Sequence, residues 1–158
     1  MAKLEVKENK KLVLKNVMKK ELKNIAIENL DKHINEFGNM LQLLHVQVFG
    51  PLIIKNVGTK IHEDGNLSFD YDLIVQAHDY LQYKDKYVTQ DRLVAENCIY
   101  VRFEGPMEEL NYAYSKLDLH IYENDLMATG EDYIIHVNDN PEHGVVDIFK
   151  VVNKDEAL

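Results

Sequence analysis

The sequence predicts an α+β fold made of two β-α-β-β units. Apolar residues switch between strand and helix periodicity in the same order, strand, helix, strand, strand, in residues 10–77 and again in residues 97–153. The two segments also share local patterns, since "PLIIKNV" resembles "DYIIHVN" and "SFDYDLIV" resembles "VVDIFKVV". The repeated order and the shared patterns predict an internal duplication. In each copy, the amphipathic helix must cover the apolar face of a sheet. The two copies would form one curved antiparallel sheet with two long helices on one face and a cleft between the halves.

The first unit begins with a strand and a long helix. "KKLVLKNVMKK", from Lys10, alternates as a strand does. Residues 20–44 follow as a helix, because their apolar residues recur at intervals of three and four. The stripe consists of Leu22, Ala26, Leu30, Ile34, Phe37, Leu41 and Leu44. A strand region with a Gly50-Pro51 corner comes next, and Asp64-Gly65-Asn66 predicts a hairpin turn before the strand "LSFDYDLIVQA".

A polar segment separates the two units. Residues 79–96 lack a clear period, which indicates a connector or an exposed edge strand around Tyr83 to Val88. The second unit starts with the strand "NCIYVRFE" and a turn at Gly105. Pro106 suits the first helical position, because its missing N–H has no helical partner there. Two further strands, "DYIIHVND" and "GVVDIFKVVN", are joined by "NPEHG", which is typical of a hairpin link.

Length and composition indicate one domain, residues 1–158. Apolar residues make up 46% and charged residues 28% of the chain, close to the average of globular proteins. No apolar run approaches the roughly 20 residues needed to cross a bilayer, and "MAKLEVKENKK" lacks the apolar core of a secretory signal. The single cysteine, Cys98, excludes an intrachain disulfide. We therefore expect a cytoplasmic protein.

Charge is distributed unevenly along the chain. The formal net charge is −9, but residues 1–23 hold eight lysines and three glutamates, a balance of +5 that leaves −14 on the rest. An acidic body of this kind repels nucleic acid and anionic membranes, so we expect neither as a direct partner. The basic segment could contact DNA, but lysines spread over a tail and a strand are more typical of a solvated surface.

The chain resembles the gyrase-inhibitor-like (GyrI-like) effector-binding domains. In the second half, the family's pattern is carried by Gly105-Pro106, Tyr114 with Leu117, Asn138-Asp139-Asn140-Pro141 and Asp147-Ile148-Phe149. In the first half, "FGPLIIKN" is similar to the family's Gly-Pro segment, so the resemblance spans about residues 10 to 152. The chain departs from the family at Met107, where an aromatic residue is usual, and in "FKVVN", which lacks the family's proline.

The resemblance implies a bacterial ligand-sensing domain. Such domains form the sensing halves of many AraC- and MerR-type transcription regulators, and they also occur alone. Ligand-binding members often place a carboxylate on a central strand to meet a cationic aromatic ligand, and Asp70 and Asp72 are the nearest matches here. Some relatives are thought to hydrolyse small reactive compounds with a pocket glutamate, which makes Glu104, beside Gly105, the residue to test.

The nine tyrosines and absent tryptophan indicate an aromatic-walled pocket, with core packing as the alternative. The π faces of such a pocket, with a nearby carboxylate, hold a flat cation. Asp70, Asp72 and Asp147 alternate with apolar residues, so they face away from the core, toward the cleft floor or toward solvent. The candidate ligand-binding residues are Asp70, Tyr71, Asp72, Tyr100, Glu104, Tyr133 and His136.

Metal, cofactor and nucleophile motifs are missing from the sequence. His62, Glu63 and Asp64 are adjacent in a turn and point in different directions, and HExxH and paired cysteines are absent, so we expect no metal. GxSxG, P-loop and GxGxxG patterns are absent too, so we expect no cofactor and no catalytic residue. Cys98 is expected to be a buried structural thiol.

Three functions fit these features. We favour a stand-alone, non-enzymatic module, related to transcription regulation, that binds a small organic molecule in the cleft; a cationic ligand is one option. The alternative is a protein-interaction module on the same scaffold without a ligand pocket, binding through an edge strand or the basic N-terminal segment. A hydrolase that uses Glu104 or Asp72 is the third.

Overall fold

Strands and helices follow the order β-α-β-β twice along the chain. The computed structural model describes residues 4–154, so the two ends of the predicted domain, including the first three residues of the basic segment, lie outside the described residues. The strands and α-helices are β1 (Lys7–Ile25), α1 (Leu30–Leu43), β2 (Val48–Ile61), β3 (Leu67–Ala77), β4 (Val88–Gly105), α2 (Asn111–Glu123), β5 (Leu126–Asn138) and β6 (Gly144–Lys154). No helix in residues 4–154 is long and apolar enough to cross a membrane.

The chain divides into two compact units. Residues 14–93 form the N-terminal unit, and the residues up to Val13 join those from Val94 onward in the C-terminal unit. Each unit holds one α-helix and antiparallel strands, which confirms the predicted α+β class. The common origin of the two units, the single curved sheet, the cleft and the single domain stay predictions.

In the N-terminal unit, β3 pairs antiparallel with β1 on one side and with β2 on the other. Helix α1 packs on one face of these strands and buries Phe37 and Leu41 against them. The buried core consists of Met18, Leu22, Phe37, Leu41, Ile54, Tyr71, Leu73, Val75 and Ala77. Tyr71, Leu73 and Val75 share this face because they alternate along β3, as predicted.

The predicted helix over residues 20–44 starts too early. Strand β1 continues to Ile25, with Glu21 opposite Asp72 and Leu22 opposite Tyr71, and α1 begins only at Leu30. Leu22 fits both periods, because it lies four residues before Ala26 of the predicted stripe and also on the inward side of the strand. Pairing with β3 decides in favour of the strand, since tertiary contacts override a local periodicity this short.

The predicted corner and hairpin of the N-terminal unit are both present. Gly50 has a φ of +73°, and the register of β2 against β3 shifts between Phe49 and Ile53, so the chain bulges at the Gly-Pro step. At the hairpin, the His62 N–H donates to the Asn66 carbonyl at 2.8 Å. Gly65 has a φ of +84°, a conformation that favours glycine.

In the C-terminal unit, β6 pairs antiparallel with β4 and with β5, and α2 covers one face. Pro106 does not occupy the first helical position, because its ψ of 131° is extended and α2 begins at Asn111, after a 3-10 turn. Strand β4 starts at Val88, inside the segment expected to connect the units. Its buried Leu93 and Ala95 alternate with exposed residues, which is the pattern of a strand.

Each unit therefore presents a sheet with two different faces. One face packs on the unit's own helix. We call the other the averted face. Residues directly opposite each other in an antiparallel pair share a face, so the strand register assigns every side chain to one of the two.

Candidate functional site

Three aromatic residues lie side by side on the averted face of the C-terminal unit. Phe149 on β6 has Tyr100 of β4 opposite it on one side and Tyr133 of β5 opposite it on the other. The Tyr100 and Phe149 ring centroids are 4.7 Å apart with the rings tilted by 38°. Tyr133 is buried, whereas the other two rings keep part of their surface accessible. We call these three residues the aromatic row.

A charged pair borders the aromatic row. Arg102 lies opposite Asp147 in the register, and its Nε and Nη2 donate to Oδ1 and Oδ2 of Asp147 at 2.7 and 2.8 Å. The Tyr100 hydroxyl donates to the same Oδ1 at 2.7 Å, which ties the pair to the row. Two parallel N–H···O bonds fix the orientation of both groups and are stronger than neutral hydrogen bonds.

The pKa values of this network show how it holds its charges. Burial alone would raise the pKa of Asp147, but the hydrogen bonds from Arg102 and Tyr100 more than offset it, so the pKa lies below its usual value. The hydrogen bonding between Arg102 and Asp147 also raises the pKa of the Arg102 guanidinium above its usual value. Burial, followed by the hydrogen bond to Asp147, raises the pKa of Tyr100. The pair is therefore ionised and the phenol neutral at neutral pH.

The site places the rings of the aromatic row beside the Arg102–Asp147 ion pair, in which the two charges neutralise each other. Asp147 accepts three hydrogen bonds, so its carboxylate is already satisfied without a ligand. Arg102 keeps 46% of its side chain exposed and can still meet a polar group. Accessible ring faces beside a carboxylate that is already hydrogen-bonded suit stacking with an aromatic group better than proton transfer.

Two of the predicted site residues meet here, and two others do not. Tyr100 and Tyr133 join through Phe149. Glu104 lies on the same face of β4, two positions beyond Arg102, where it is exposed at the edge of a cavity of about 580 Å³. His136 faces α2 instead, since it lies opposite Val146, a residue of the helix-side core. Burial lowers the pKa of His136.

The other three candidates lie on β3 of the N-terminal unit. Tyr71 is part of the core against α1, where its ring stacks on Phe69 at 5.9 Å. Asp70 accepts a hydrogen bond from the Asn24 N–H at 2.9 Å, and its other oxygen lies 3.8 Å from Lys60 Nζ. Both residues are held by structural contacts of their own unit.

Asp72 is buried on the averted face of the N-terminal unit. It is 4% exposed, lies opposite Glu21 and Lys55, and has Lys19 Nζ at 3.9 Å. Burial raises its pKa, and Lys19 and Lys55 offset only part of that rise. Asp72 and Asp147 thus both face away from the core, as expected, but neither points to solvent. A ligand-binding role for any of these residues stays a prediction.

Two residues of the site were not among the candidates. Arg102 and Phe149 lie two positions after Tyr100 and Asp147 respectively, so strand alternation alone places each on the same face as its neighbour. That signal was available in the sequence. Their contact across the strands was not, because it depends on the register of β4 against β6.

Other chemistry has little support in the described residues. No group of three or more His, Cys, Asp or Glu side chains within residues 4–154 is placed to hold a metal ion. Cys98 is buried, as expected, and burial raises the pKa of its thiol to about 11. The thiolate form that attacks a substrate is therefore scarce at neutral pH.

Comparison with known proteins finds likeness in structure alone. No family model and no curated protein matches the sequence. The C-terminal domain of EcmrR superposes with a TM-score of 0.67 at 15% identity, over 96% of this chain and 98% of that domain. The EcmrR–DNA complex in EcmrR-RPo gives a TM-score of 0.65 at 14% identity, over 96% of this chain and 57% of that one.

Two further structures superpose less closely. SAV2435 bound to tetraphenylphosphonium has a TM-score of 0.50 at 12% identity, over 96% of this chain and 94% of that chain. A hydrolase from Listeria innocua has a TM-score of 0.50 at 13% identity, over 96% and 92%. At such identities the likeness concerns the fold, and it is consistent with the effector-binding fold that the sequence resemblance implies.

Proposed function

We propose that this protein binds a small aromatic organic molecule on the aromatic row. The observation that carries the proposal is the side-by-side placement of Tyr100, Phe149 and Tyr133 next to the Arg102–Asp147 pair. A ligand with aromatic groups would stack on the accessible parts of these rings.

The ligand that we propose is a cation with aromatic groups. Electron-rich ring faces attract cations, and the chain's net charge of −9 attracts them at longer range. The carboxylate of Asp147 would contribute little, since Arg102 neutralises it. The tetraphenylphosphonium carried by the structural neighbour SAV2435 is an aromatic cation, which makes it a suitable probe.

Calorimetric titration with two ions of matched shape tests this proposal. Tetraphenylphosphonium and tetraphenylborate have the same four rings and opposite charges, and we expect only the cation to bind saturably. Phe149→Leu removes a ring without removing a hydrogen bond, and it should weaken binding by about tenfold, the upper range of a cation–π contact. Tyr112→Leu is the matched control, because Tyr112 is 61% exposed on α2.

Two results would contradict the proposal. Equal affinity for the two ions would show that hydrophobicity alone drives binding, and an unchanged affinity in Phe149→Leu would place the ligand elsewhere. Thermal melting of each variant shows whether it is folded before it is titrated.

The hydrolase hypothesis has less support. Glu104 is exposed, and the carboxylate of Asp72 lies among lysines, which favours a charge-paired role over proton transfer. Turnover of a reactive ester that is lost in Glu104→Gln would support an enzyme. The protein-interaction alternative stays a prediction.

A further inference from the structure

The side of α2 that faces away from its sheet carries three large apolar residues. Ala113 and Leu117 are buried against the sheet, which fixes the rotation of the helix. At 3.6 residues per turn, Tyr112, Leu119 and Tyr122 then lie on the opposite side. They are 61%, 52% and 82% exposed. We call these three residues the outer strip.

The helix of the N-terminal unit has no such strip. Helix α1 buries Phe37 and Leu41, and Leu43, its last residue, is the one large apolar side chain that it exposes. Its other exposed side chains are polar: Asp31, Lys32, Asn35, Glu36, Asn39 and Gln42. Covering a sheet therefore does not require apolar residues on the outer side of a helix. The three in α2 indicate a surface that a partner protein covers.

The residues of the outer strip have the spacing of a helix-packing seam. Leu119 lies seven residues after Tyr112, and Tyr122 lies three residues after Leu119. Ser115, which completes the pattern of alternating threes and fours, is small and exposed. Such separations align the side chains that one helix presents to another. The seam extends over about 15 Å, which suits a single helix lying along it.

Three exposed charged residues accompany the outer strip in the order negative, positive, negative. Glu108 precedes the strip by four residues, Lys116 lies near its middle and Glu123 lies at its end. None of the three forms an ion pair within residues 4–154. Asp118, at the side of the helix, is already engaged, because its Oδ1 is 3.3 Å from Lys150 Nζ. The three unpaired charges are therefore available to a partner.

A second copy of the chain does not match this order of charges. Full overlap of two parallel strips sets each charged residue beside its own counterpart. In the antiparallel arrangement Lys116 meets Lys116 and Glu108 meets Glu123, because the two acids lie eight residues before and seven residues after the lysine. Like charges then face each other at every position, which opposes self-association.

We propose that the outer strip binds an amphipathic helix of a partner protein, with charges in the order positive, negative, positive. The apolar side of the partner helix lies on the outer strip. Basic residues near its two ends meet Glu108 and Glu123, and an acidic residue between them meets Lys116. The chain's net charge of −9 attracts a helix with basic ends at longer range. This site is independent of the aromatic row, which lies on the averted face.

Two synthetic helical peptides with the same leucine stripe and the same net charge test the proposal. The matched peptide carries lysine, glutamate and lysine in succession along the stripe, and the permuted peptide carries glutamate, lysine and lysine. In either orientation the permuted peptide sets like charges opposite two of the three charged residues. We expect the full chain to bind the matched peptide about tenfold more tightly in fluorescence anisotropy.

Charge reversal locates the recognition of the peptide. In Lys116→Glu each peptide has one like-charge contact and two favourable ones, so the two peptides should bind with equal affinity. The matched control is Lys32→Glu, which makes the same change at an exposed position of α1 and should keep the tenfold preference.

A second pair of variants tests the apolar contact. Leu119→Ser should weaken binding of the matched peptide by about fivefold, since half of the leucine surface is exposed and would be buried by the partner. Leu43→Ser, at the exposed end of α1, should leave the affinity unchanged. Thermal melting shows that each variant is folded before it is titrated.

Several outcomes would overturn the proposal. Equal affinity of the wild type for the two peptides would show attraction by net charge alone. A loss in Leu43→Ser as large as that in Leu119→Ser would place the peptide elsewhere on the chain. Failure to bind either peptide would exclude the partner helix, and a dimer in sedimentation that Leu119→Ser dissociates would show that a second copy covers the strip instead.

Discussion

The Arg102–Asp147 contact allows a quantitative test of the register on which the aromatic row depends. Asp147 is 9% exposed and takes two hydrogen bonds from Arg102 and one from Tyr100. We expect Arg102→Met and Asp147→Asn each to lower the free energy of unfolding. The double variant should lose less free energy of unfolding than the two single variants lose together. The shortfall is the coupling energy of the pair.

The magnitude follows from burial and hydrogen bonding. A hydrogen bond to a charged group contributes about 1.5–3 kcal/mol, but the 46% exposure of the Arg102 side chain reduces the net effect of its two bonds. We therefore expect each single substitution to lower the free energy of unfolding by about 2 kcal/mol. After Arg102→Met, the buried carboxylate of Asp147 keeps only the hydrogen bond from the Tyr100 hydroxyl. The double variant should lose about 3 kcal/mol, which leaves a coupling energy of about 1 kcal/mol.

The pH dependence has a definite sign. Because the pKa of Asp147 is lower in the folded chain than in the unfolded chain, the unfolded state takes up protons first as the pH falls. The stability due to ionised Asp147 is therefore fully present above about pH 4, the value of an unfolded aspartate, and is lost as the pH falls toward the folded pKa. The difference between the wild type and Arg102→Met should shrink over the same interval.

Urea unfolding, followed by circular dichroism at several pH values, measures all four members of the cycle. The control cycle uses Lys11→Met and Glu96→Gln, because this pair is 3.8 Å apart and half exposed on both sides, so its coupling should be no more than about 0.5 kcal/mol. A coupling for Arg102 and Asp147 no larger than the control value would show that the two residues do not meet as described. The assignment of the aromatic row would then fail with it.

Two further substitutions have expected outcomes. Asp72→Asn should raise the free energy of unfolding at pH 7, because burial raises the pKa of Asp72 and its charged form is disfavoured in the folded chain. The wild type should correspondingly gain stability as the pH falls through the folded pKa toward the value of an unfolded aspartate, and a loss of stability in the variant at pH 7 would contradict this. Gly38→Ala should stabilise α1 by about 0.5–1 kcal/mol and raise the melting temperature by about 1–4 °C, since an added Cβ meets no atom within 4 Å; an unchanged melting temperature would contradict this.

The α+β class and most of the strands could be predicted because these elements have strong local signals. The hairpin at Gly65 and the bulge at Gly50 depend on backbone conformations that glycine adopts readily, and both are visible as sequence motifs. The start of α1 could not be predicted in the same way. Leu22 satisfies helical and strand periods equally, and only the pairing of β1 with β3 distinguishes them.

The candidate site was predictable in part for a related reason. Tyr100 and Tyr133 are conspicuous as aromatic residues in strands, and alternation gives their orientation once the strands are known. His136 is grouped with them as a candidate, but it lies an odd number of positions from Tyr133 and so faces α2. Counting positions along the strand is enough to separate these two residues, because side chains an odd number of positions apart point to opposite faces of a sheet.

The two buried aspartates mark the limit of what the sequence can predict. Asp72 and Asp147 are both buried on the averted face and followed by apolar residues, yet their pKa values shift in opposite directions. The difference arises across the strands, since Asp147 meets a bidentate arginine 45 residues away. Asp72 lies opposite Glu21 on one side and Lys55 on the other, and Lys19 Nζ is 3.9 Å from its carboxylate, too far for a hydrogen bond. The electrostatics of each carboxylate is therefore a property of the register, and a one-residue slip of β4 against β6 would turn Arg102 to the other face and leave Asp147 as unfavourably buried as Asp72.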